Sequence, residues 1–138
     1  MRLALNILVV VVGLLMLVLG VQWLTDPATA AARLGIALQG SDALSTARGD
    51  IAGMFIGGAL MALLGLLTRN NVWLLALALL LALIAAGRVV GFFMDGAATP
   101  SVQAFFAELV MAAVLVLRAT QKQQPETASI NAPGEPSG

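Results

Sequence analysis

The sequence predicts an all-α integral membrane protein, a four-helix bundle with a short interfacial helix between its first and second spans. Of the 138 residues, 60% are hydrophobic and only 10% are charged, whereas about 25% are charged in soluble domains. The mean hydropathy is +0.99. The apolar residues form long runs, each close to the ~20 residues that a helix needs to cross ~30 Å of hydrocarbon. These observations together define the fold class.

The apolar runs place a transmembrane domain over residues 1–120, with spans of about 3–24, 48–68, 72–94 and 100–120. The first run competes with a signal peptide, because Ala28-Thr29-Ala30 resembles a small-residue cleavage site. We favour a span, since the run is longer than the usual 7–15 residues of a signal-peptide core. Residues 121–138 are polar, contain Pro and Gly and lack apolar periodicity. They are predicted to form a disordered cytoplasmic tail.

Composition excludes several kinds of chemistry. The chain has no Cys, His or Tyr, which removes thiol redox chemistry, thiolate or imidazole metal sites and His-dependent catalytic triads. Its basic residues are spread singly along the chain, so no patch for nucleic acid is expected. We therefore expect no metal, no cofactor and no nucleic-acid partner, and membrane lipid as the surrounding partner.

The segment between the first two spans is predicted to be a short amphipathic helix at the membrane interface. Asp26 and Pro27 suit an N-cap and a first helical position. Ala31, Leu34 and Leu38 then recur at helical spacing. We expect this helix to end at Gly40, and the alternative is an unstructured connecting loop.

The second span carries two charges near its start. Arg48 and Asp50 are two residues apart, so they lie on different faces of a helix. Asp50 shares a face with Gly53 and Gly57, whose GxxxG spacing allows another helix to approach closely. We expect Asp50 and these glycines to face the bundle, and Arg48 to reach the lipid headgroups.

The third and fourth spans place charges where hydrocarbon is expected. A charge at the centre of a span costs roughly 2.5–3.5 kcal/mol on insertion scales, so such groups face one another or a cavity. Arg88 and Glu108 lie at similar distances, roughly 10–12 Å, from the turn that joins the two spans. In an antiparallel hairpin they are level and are predicted to pair. Asp95 lies nearer the turn.

Two interpretations of this polar cluster remain open. The first is an ion-pair network that only fixes helix register. The second is a ligand pocket open to the extracytoplasmic side, with Arg88, Glu108, Asp50 and Asp95 as its polar groups. The residues expected to line such a pocket are Gly53, Gly57, Gly91, Phe92, Phe105 and Met111. The aromatic residues could equally serve packing alone.

Positive charges favour one orientation in the membrane. Arg2, Arg69, Arg118 and Lys122 share one side of a four-span topology, and the other side is more acidic. The positive-inside rule therefore predicts that both termini are cytoplasmic.

Several motifs resemble those of a bacterial family of small four-helix membrane proteins of unknown function. The pattern comprises Arg48-Gly49-Asp50 with Gly53, Arg88 with Gly91, Asp95-Gly96 and Glu108-Leu109. The resemblance covers roughly residues 3–119, and in overall plan the chain also looks like the broader DoxX-like group. It implies an integral four-helix bundle in the bacterial inner membrane but supplies no catalytic residues. Some DoxX-like proteins are associated with quinone-linked sulfur oxidation or oxidoreductase partners, whose thiol chemistry this cysteine-free chain could not share.

Three functions are compatible with these features. The favoured one is a non-enzymatic module that binds a lipophilic small molecule or a membrane partner at the polar cluster. The second is an enzyme acting on a lipid-like substrate, with a buried carboxylate as general acid or base. The third is a proton-coupled transporter of small solutes, which at this size would require an oligomer.

Overall fold

The computed structural model describes residues 1–121, and within this range all of the regular secondary structure is helical. The predicted disordered tail, apart from Gln121, lies outside the described residues. Five helices follow one another along the chain: α1 (Arg2–Thr25), α2 (Pro27–Arg33), α3 (Gly40–Leu67), α4 (Asn71–Met94) and α5 (Thr99–Thr120). Four of them, all except α2, are long and apolar enough to cross a membrane. This suggests a multi-pass membrane protein.

The four long helices pack as two antiparallel hairpins. α1 makes its most extensive contacts with α3, and α4 makes its most extensive contacts with α5. Contacts between the hairpins are fewer. The connection from α4 to α5 is short and includes Gly96, whose φ of 90° lies in the left-handed region that glycine adopts without steric cost. The looser junction between the two hairpins is where the main cavity forms.

The segment between α1 and α3 contains a helix, α2, rather than only a loop. Asp26 caps it, because its carboxylate accepts a hydrogen bond from the Thr29 backbone N–H at 3.2 Å. Pro27 follows at the start of the helix. α2 ends at Arg33, earlier than the predicted end at Gly40. Gly35, with a φ of 72°, turns the chain soon after this point.

α3 contains a π-helical segment, Ala47–Ile51, which carries Arg48 and Asp50. The Nε of Arg48 donates a hydrogen bond to the Leu24 carbonyl oxygen at 3.1 Å. That carbonyl is one of the last four of α1, and the last four carbonyls of a helix have no N–H partner within the helix. Arg48 is thereby tied to the end of α1 while it stays exposed, and its contact with lipid headgroups remains a prediction.

The small-residue face that packs on the neighbouring helices differs from the expected one. The buried small residues of α3 are Ala52, Gly58, Ala59, Ala62 and Gly65. Asp50 and Gly53 are exposed, and a Cβ added at Gly53 or Gly57 would meet no atom within 4 Å. The prediction that this face packs into the bundle is therefore wrong. Burying Asp50 would desolvate a carboxylate with no cation beside it, whereas the alanine face allows equally close packing without that cost.

Most of the apolar core fills the end of the bundle away from α2. Its largest fully buried side chains include Val9, Met16, Leu74, Leu77 and Leu115. A separate cluster at the α2 end joins Trp23 to small residues of α2 and α3. The core thus thins between the hairpins near the α2 end.

Polar bonds tie three helices together at the opposite end. Arg118 of α5 donates a hydrogen bond from Nε to the Asn6 side-chain oxygen of α1. The side-chain amide of Asn71, at the start of α4, donates to the Ala119 carbonyl oxygen at 2.6 Å. These contacts close the end that is farthest from the cavity.

Candidate functional site

An ion pair joins α4 to α5 inside the second hairpin. The Nε of Arg88 lies 2.8 Å from Oε1 and 3.0 Å from Oε2 of Glu108. Glu108 is only 7% exposed, and it is the only charged residue that is buried among the described residues. The Arg88 side chain is 28% exposed. Both carboxylate oxygens therefore share a single N–H donor of the guanidinium group.

This arrangement leaves most of the hydrogen-bonding capacity of Arg88 unused. A guanidinium group carries five N–H donors, of which only the Nε hydrogen faces Glu108. Within residues 1–121, no acceptor bonds to the Nη groups. The carboxylate is paired, while the guanidinium group keeps donors for a further partner.

A cavity of about 280 Å³ lies between the two hairpins, with walls from all five helices. The ion pair forms part of one wall. Apolar side chains form most of the remainder, including Met16 and Leu19 of α1, Phe55 of α3 and Leu81 of α4. The cavity begins where the main core ends, because Met16 and Leu81 belong to both.

The lining of this cavity is polar at one end and apolar at the other. Arg88 lies seven residues beyond Leu81 on α4, and Gln22 lies six residues beyond Met16 on α1. At 1.5 Å per residue, each pair is separated by about 9–10 Å along its helix. Arg33 of α2 lines the cavity as well. The polar groups therefore gather at the α2 end, and the apolar floor lies toward the middle of the bundle.

A second, more open depression of about 420 Å³ lies beside Arg88. Gly91, Phe92 and Asp95 line it together with the start of α5. Asp95 is exposed and makes no side-chain hydrogen bond or ion pair with other residues in the range 1–121. Arg88 is thus shared by a partly open, mostly apolar cavity and a more open polar depression.

Comparison with known families places most of the chain in one group. The family described as "Domain of unknown function (DUF4345)" matches residues 4–119. The chain belongs to this family. No curated protein and no solved structure matches it. Family membership agrees with the expected relationship to an uncharacterised family, but it brings no activity with it, so function has to be argued from the geometry of the site.

In this family member the expected site residues divide into three groups. Arg88, Glu108 and Met111 line the main cavity. Gly91, Phe92 and Asp95 line the open depression, beside Arg88. The remaining four, Asp50, Gly53, Gly57 and Phe105, line neither. Phe105 packs edge to face on Phe92, with ring centroids 5.8 Å apart. The roles of all these residues in ligand binding remain predictions.

The sequence analysis missed the contributions of α1 and α2 to the cavity. Gln22, Trp23 and Arg33 line it, and Trp23 is only 3% exposed. Gln22 was visible as a polar interruption in an apolar run, which is the same signal that identified Arg88 and Glu108. For Arg33 there was no comparable signal, because the direction in which α2 leaves α1 is not encoded in its apolar periodicity.

Proposed function

We propose that this protein is a non-enzymatic membrane module that binds a small lipophilic molecule in the cavity between its two hairpins. The observation that carries the proposal is an apolar cavity of about 280 Å³ with a buried ion pair in its wall. An ion pair that served only to fix helix register would require no space beside it. Here the space is present, and most of its lining is apolar.

The size of the cavity indicates the size of the ligand. Its volume is about nine times the ~30 Å³ that a water molecule occupies in the liquid. This is slightly below the usual range of about 300–1,000 Å³ for drug-sized ligands. A molecule of about ten non-hydrogen atoms, or one segment of a lipid chain, fits these dimensions.

The geometry favours binding over catalysis. A general acid or base has to exchange a proton with its substrate, but both Glu108 oxygens already accept the Arg88 Nε–H. Asp50 is exposed and does not line the cavity. Glu108 is therefore better placed to hold Arg88 than to transfer protons.

The proposal includes a location and an orientation. Four helices cross the bacterial inner membrane, with α2 at its outer surface and both termini in the cytoplasm, as the distribution of basic residues favours. The cavity then lies in the extracytoplasmic half of the bundle, where membrane lipid is the nearest source of ligand. A DoxX-like relationship remains a prediction.

Ligand binding can be measured by quenching of Trp23 fluorescence. The chain has two tryptophans, so Trp73→Phe leaves Trp23 as the sole reporter in the cavity wall. Octanol with a terminal bromine is titrated into the protein in lipid nanodiscs. Because bromine quenches tryptophan on contact, we expect saturable quenching.

Two variants of α5 distinguish the cavity from the surrounding lipid. Ala104 lines the cavity, whereas Ala113 is exposed outside it. Ala104→Phe should abolish most of the saturable quenching, and Ala113→Phe should retain it. Equal quenching in both variants, or no saturable quenching in the parent protein, would refute the proposed function.

A further inference from the structure

We propose that the cavity selects an anionic amphiphile, a single apolar chain that ends in a carboxylate or phosphate group. The inference rests on the proposed function and specifies its ligand. The headgroup lies between Arg33 of α2 and the Nη groups of Arg88, and the chain extends toward Met16 and Leu81. Four observations support this placement.

The charge of the lining is the first observation. Two guanidinium groups, Arg33 and Arg88, and one carboxylate, Glu108, line the cavity, so its net charge is +1. The Glu108 carboxylate is already paired with Arg88. A cationic ligand would meet this excess positive charge, whereas an anionic headgroup would neutralise it.

The second observation is the available donor geometry. The Nη groups of Arg88 have no acceptor within residues 1–121. A guanidinium edge presents parallel N–H donors that match the two oxygens of a carboxylate or phosphate. Glu108 holds the guanidinium group through Nε, so the Nη groups remain for the ligand.

The third observation concerns Arg33. It is exposed and makes no ion pair with another residue of the described range. Asp26, whose carboxylate caps α2, interacts electrostatically with Arg33. Asp26 does not line the cavity, so it does not occupy the position proposed for the headgroup.

The fourth observation is the separation of polar and apolar lining. The polar residues lie at the α2 end, about 9–10 Å along the helices from the apolar floor. An amphiphile that enters with its chain toward the floor places its headgroup beside both arginines. A neutral lipophile would offer no anionic acceptor to Arg33 or to the Nη groups of Arg88.

The test compares headgroups on one chain in the Trp73→Phe protein. Terminally brominated octanol, octanoate and octyl phosphate are titrated in nanodiscs of zwitterionic lipid, with Trp23 quenching as the readout. We expect at least one of the two anions to bind about tenfold more tightly than the alcohol, the ratio expected for one charge-assisted hydrogen bond. Preference for octanoate or for octyl phosphate identifies the oxyanion and supports the proposal in either case.

Charge variants identify the residue that recognises the anion. Arg33→Gln should lower the affinity for the anions far more than the affinity for octanol, and so remove most of the anion preference. Arg2→Gln, which removes a positive charge from the first turn of α1 at the opposite end, should leave both unchanged.

The possible negative outcomes overturn different claims. Saturable octanol binding that equals or exceeds the binding of both anions would overturn anion selectivity but preserve the proposed function. Failure of all three probes to quench Trp23 would overturn both. An anion preference that survives Arg33→Gln would contradict the proposed headgroup position. A preference that falls equally in Arg33→Gln and Arg2→Gln would reflect the overall charge of the protein and contradict that position as well.

Discussion

Arg88 and Glu108 depend on each other, because neither charge has another partner of opposite sign among the described residues. Removing one member of a buried pair leaves an uncompensated charge, which typically costs about 3–5 kcal/mol, whereas replacing both by apolar residues is often neutral. The interaction is therefore best tested by removing each residue alone and then both together.

We expect Arg88→Met and Glu108→Met each to lower the free energy of unfolding, by about 3–5 kcal/mol for the variant that leaves Glu108 unpaired. The double variant should be markedly more stable than the sum of the single losses predicts. Reversible unfolding of the purified protein in mixed detergent micelles measures these values. Arg88→Met combined with Gln103→Met provides the control, since Gln103 is exposed on the same helix as Glu108. Additive losses for Arg88 and Glu108 would contradict the coupling.

At the scale of elements, α2 depends on its cap. The pKa of Asp26 is lowered from 3.8, chiefly because its carboxylate accepts hydrogen bonds from Thr29, with Arg33 and Arg48 contributing further. A group whose pKa is lowered by folding stabilises the folded state above its unfolded pKa and loses that effect as the pH falls through its folded pKa. The cap should therefore be intact at neutral pH and fail only below pH 3.8.

Hydrogen exchange measured by mass spectrometry tests this dependence on the peptide that covers α2. Protection should stay constant from neutral pH down to about 4 and fall below it, after correction for the intrinsic exchange rate. Asp26→Asn should flatten this pH dependence, because the amide does not titrate. Asp42→Asn, at the start of α3, is the matched control and should retain it. The interpretation fails if both variants behave alike.

The close packing of α1 on α3 leads to a prediction about glycine substitutions. A Cβ on Gly20 would lie 2.6 Å from Ile56 Cγ1 and 3.0 Å from the Ile56 backbone nitrogen. Gly20→Ala should therefore destabilise the protein by about 1–3 kcal/mol, as overpacking usually does. Gly53→Ala has open space around it and should be neutral or stabilising by up to about 1 kcal/mol. Thermal unfolding in detergent compares the two. A large loss at Gly53 would show that its face packs on another molecule.

The helices of this chain could be predicted from sequence, whereas the faces they bury could not. Long apolar runs and polar turns specify four long helices, and equal distance from one turn is enough to align Arg88 with Glu108. The predicted buried face of α3 was wrong because this helix has two faces of small residues that could pack against a neighbour. One face begins at Asp50 and the other at Ala52. The π-helical segment that contains Asp50 and ends directly before Ala52 is not encoded by any simple spacing. Packing between helices distant in the sequence decided the outcome.

The dependence on packing between distant helices also explains why only part of the candidate site could be predicted from the sequence. Residues within one hairpin, such as Arg88, Glu108 and Met111, could be associated because their connection is short. Gln22 and Arg33 come from the other hairpin and from α2, and their position relative to α4 depends on how the hairpins meet. For a cavity formed between hairpins, the sequence therefore predicts the residues contributed by one hairpin but not those contributed by the other hairpin and α2.

At the scale of the whole molecule, the cavity and the membrane orientation are linked. α2 and the α4–α5 connection lie at the cavity end, and the α3–α4 connection lies at the other. If both termini are cytoplasmic, the polar end of the cavity faces the extracytoplasmic side. Orientation therefore determines from which side of the membrane a water-soluble headgroup could reach Arg33.

Because the chain lacks cysteine, single cysteines can report this orientation. Gln39→Cys, after α2, and Ala97→Cys, after α4, should react in intact spheroplasts with a thiol reagent that cannot cross membranes. Thr68→Cys, at the α3–α4 connection, should react only after permeabilisation. The reverse pattern would place the polar end of the cavity in the cytoplasm, which would leave the bundle and its ion pair unchanged but make cytoplasmic amphiphiles the source of ligand. Labelling of all three positions from one side would exclude a single crossing between neighbouring positions and contradict the four-span arrangement itself.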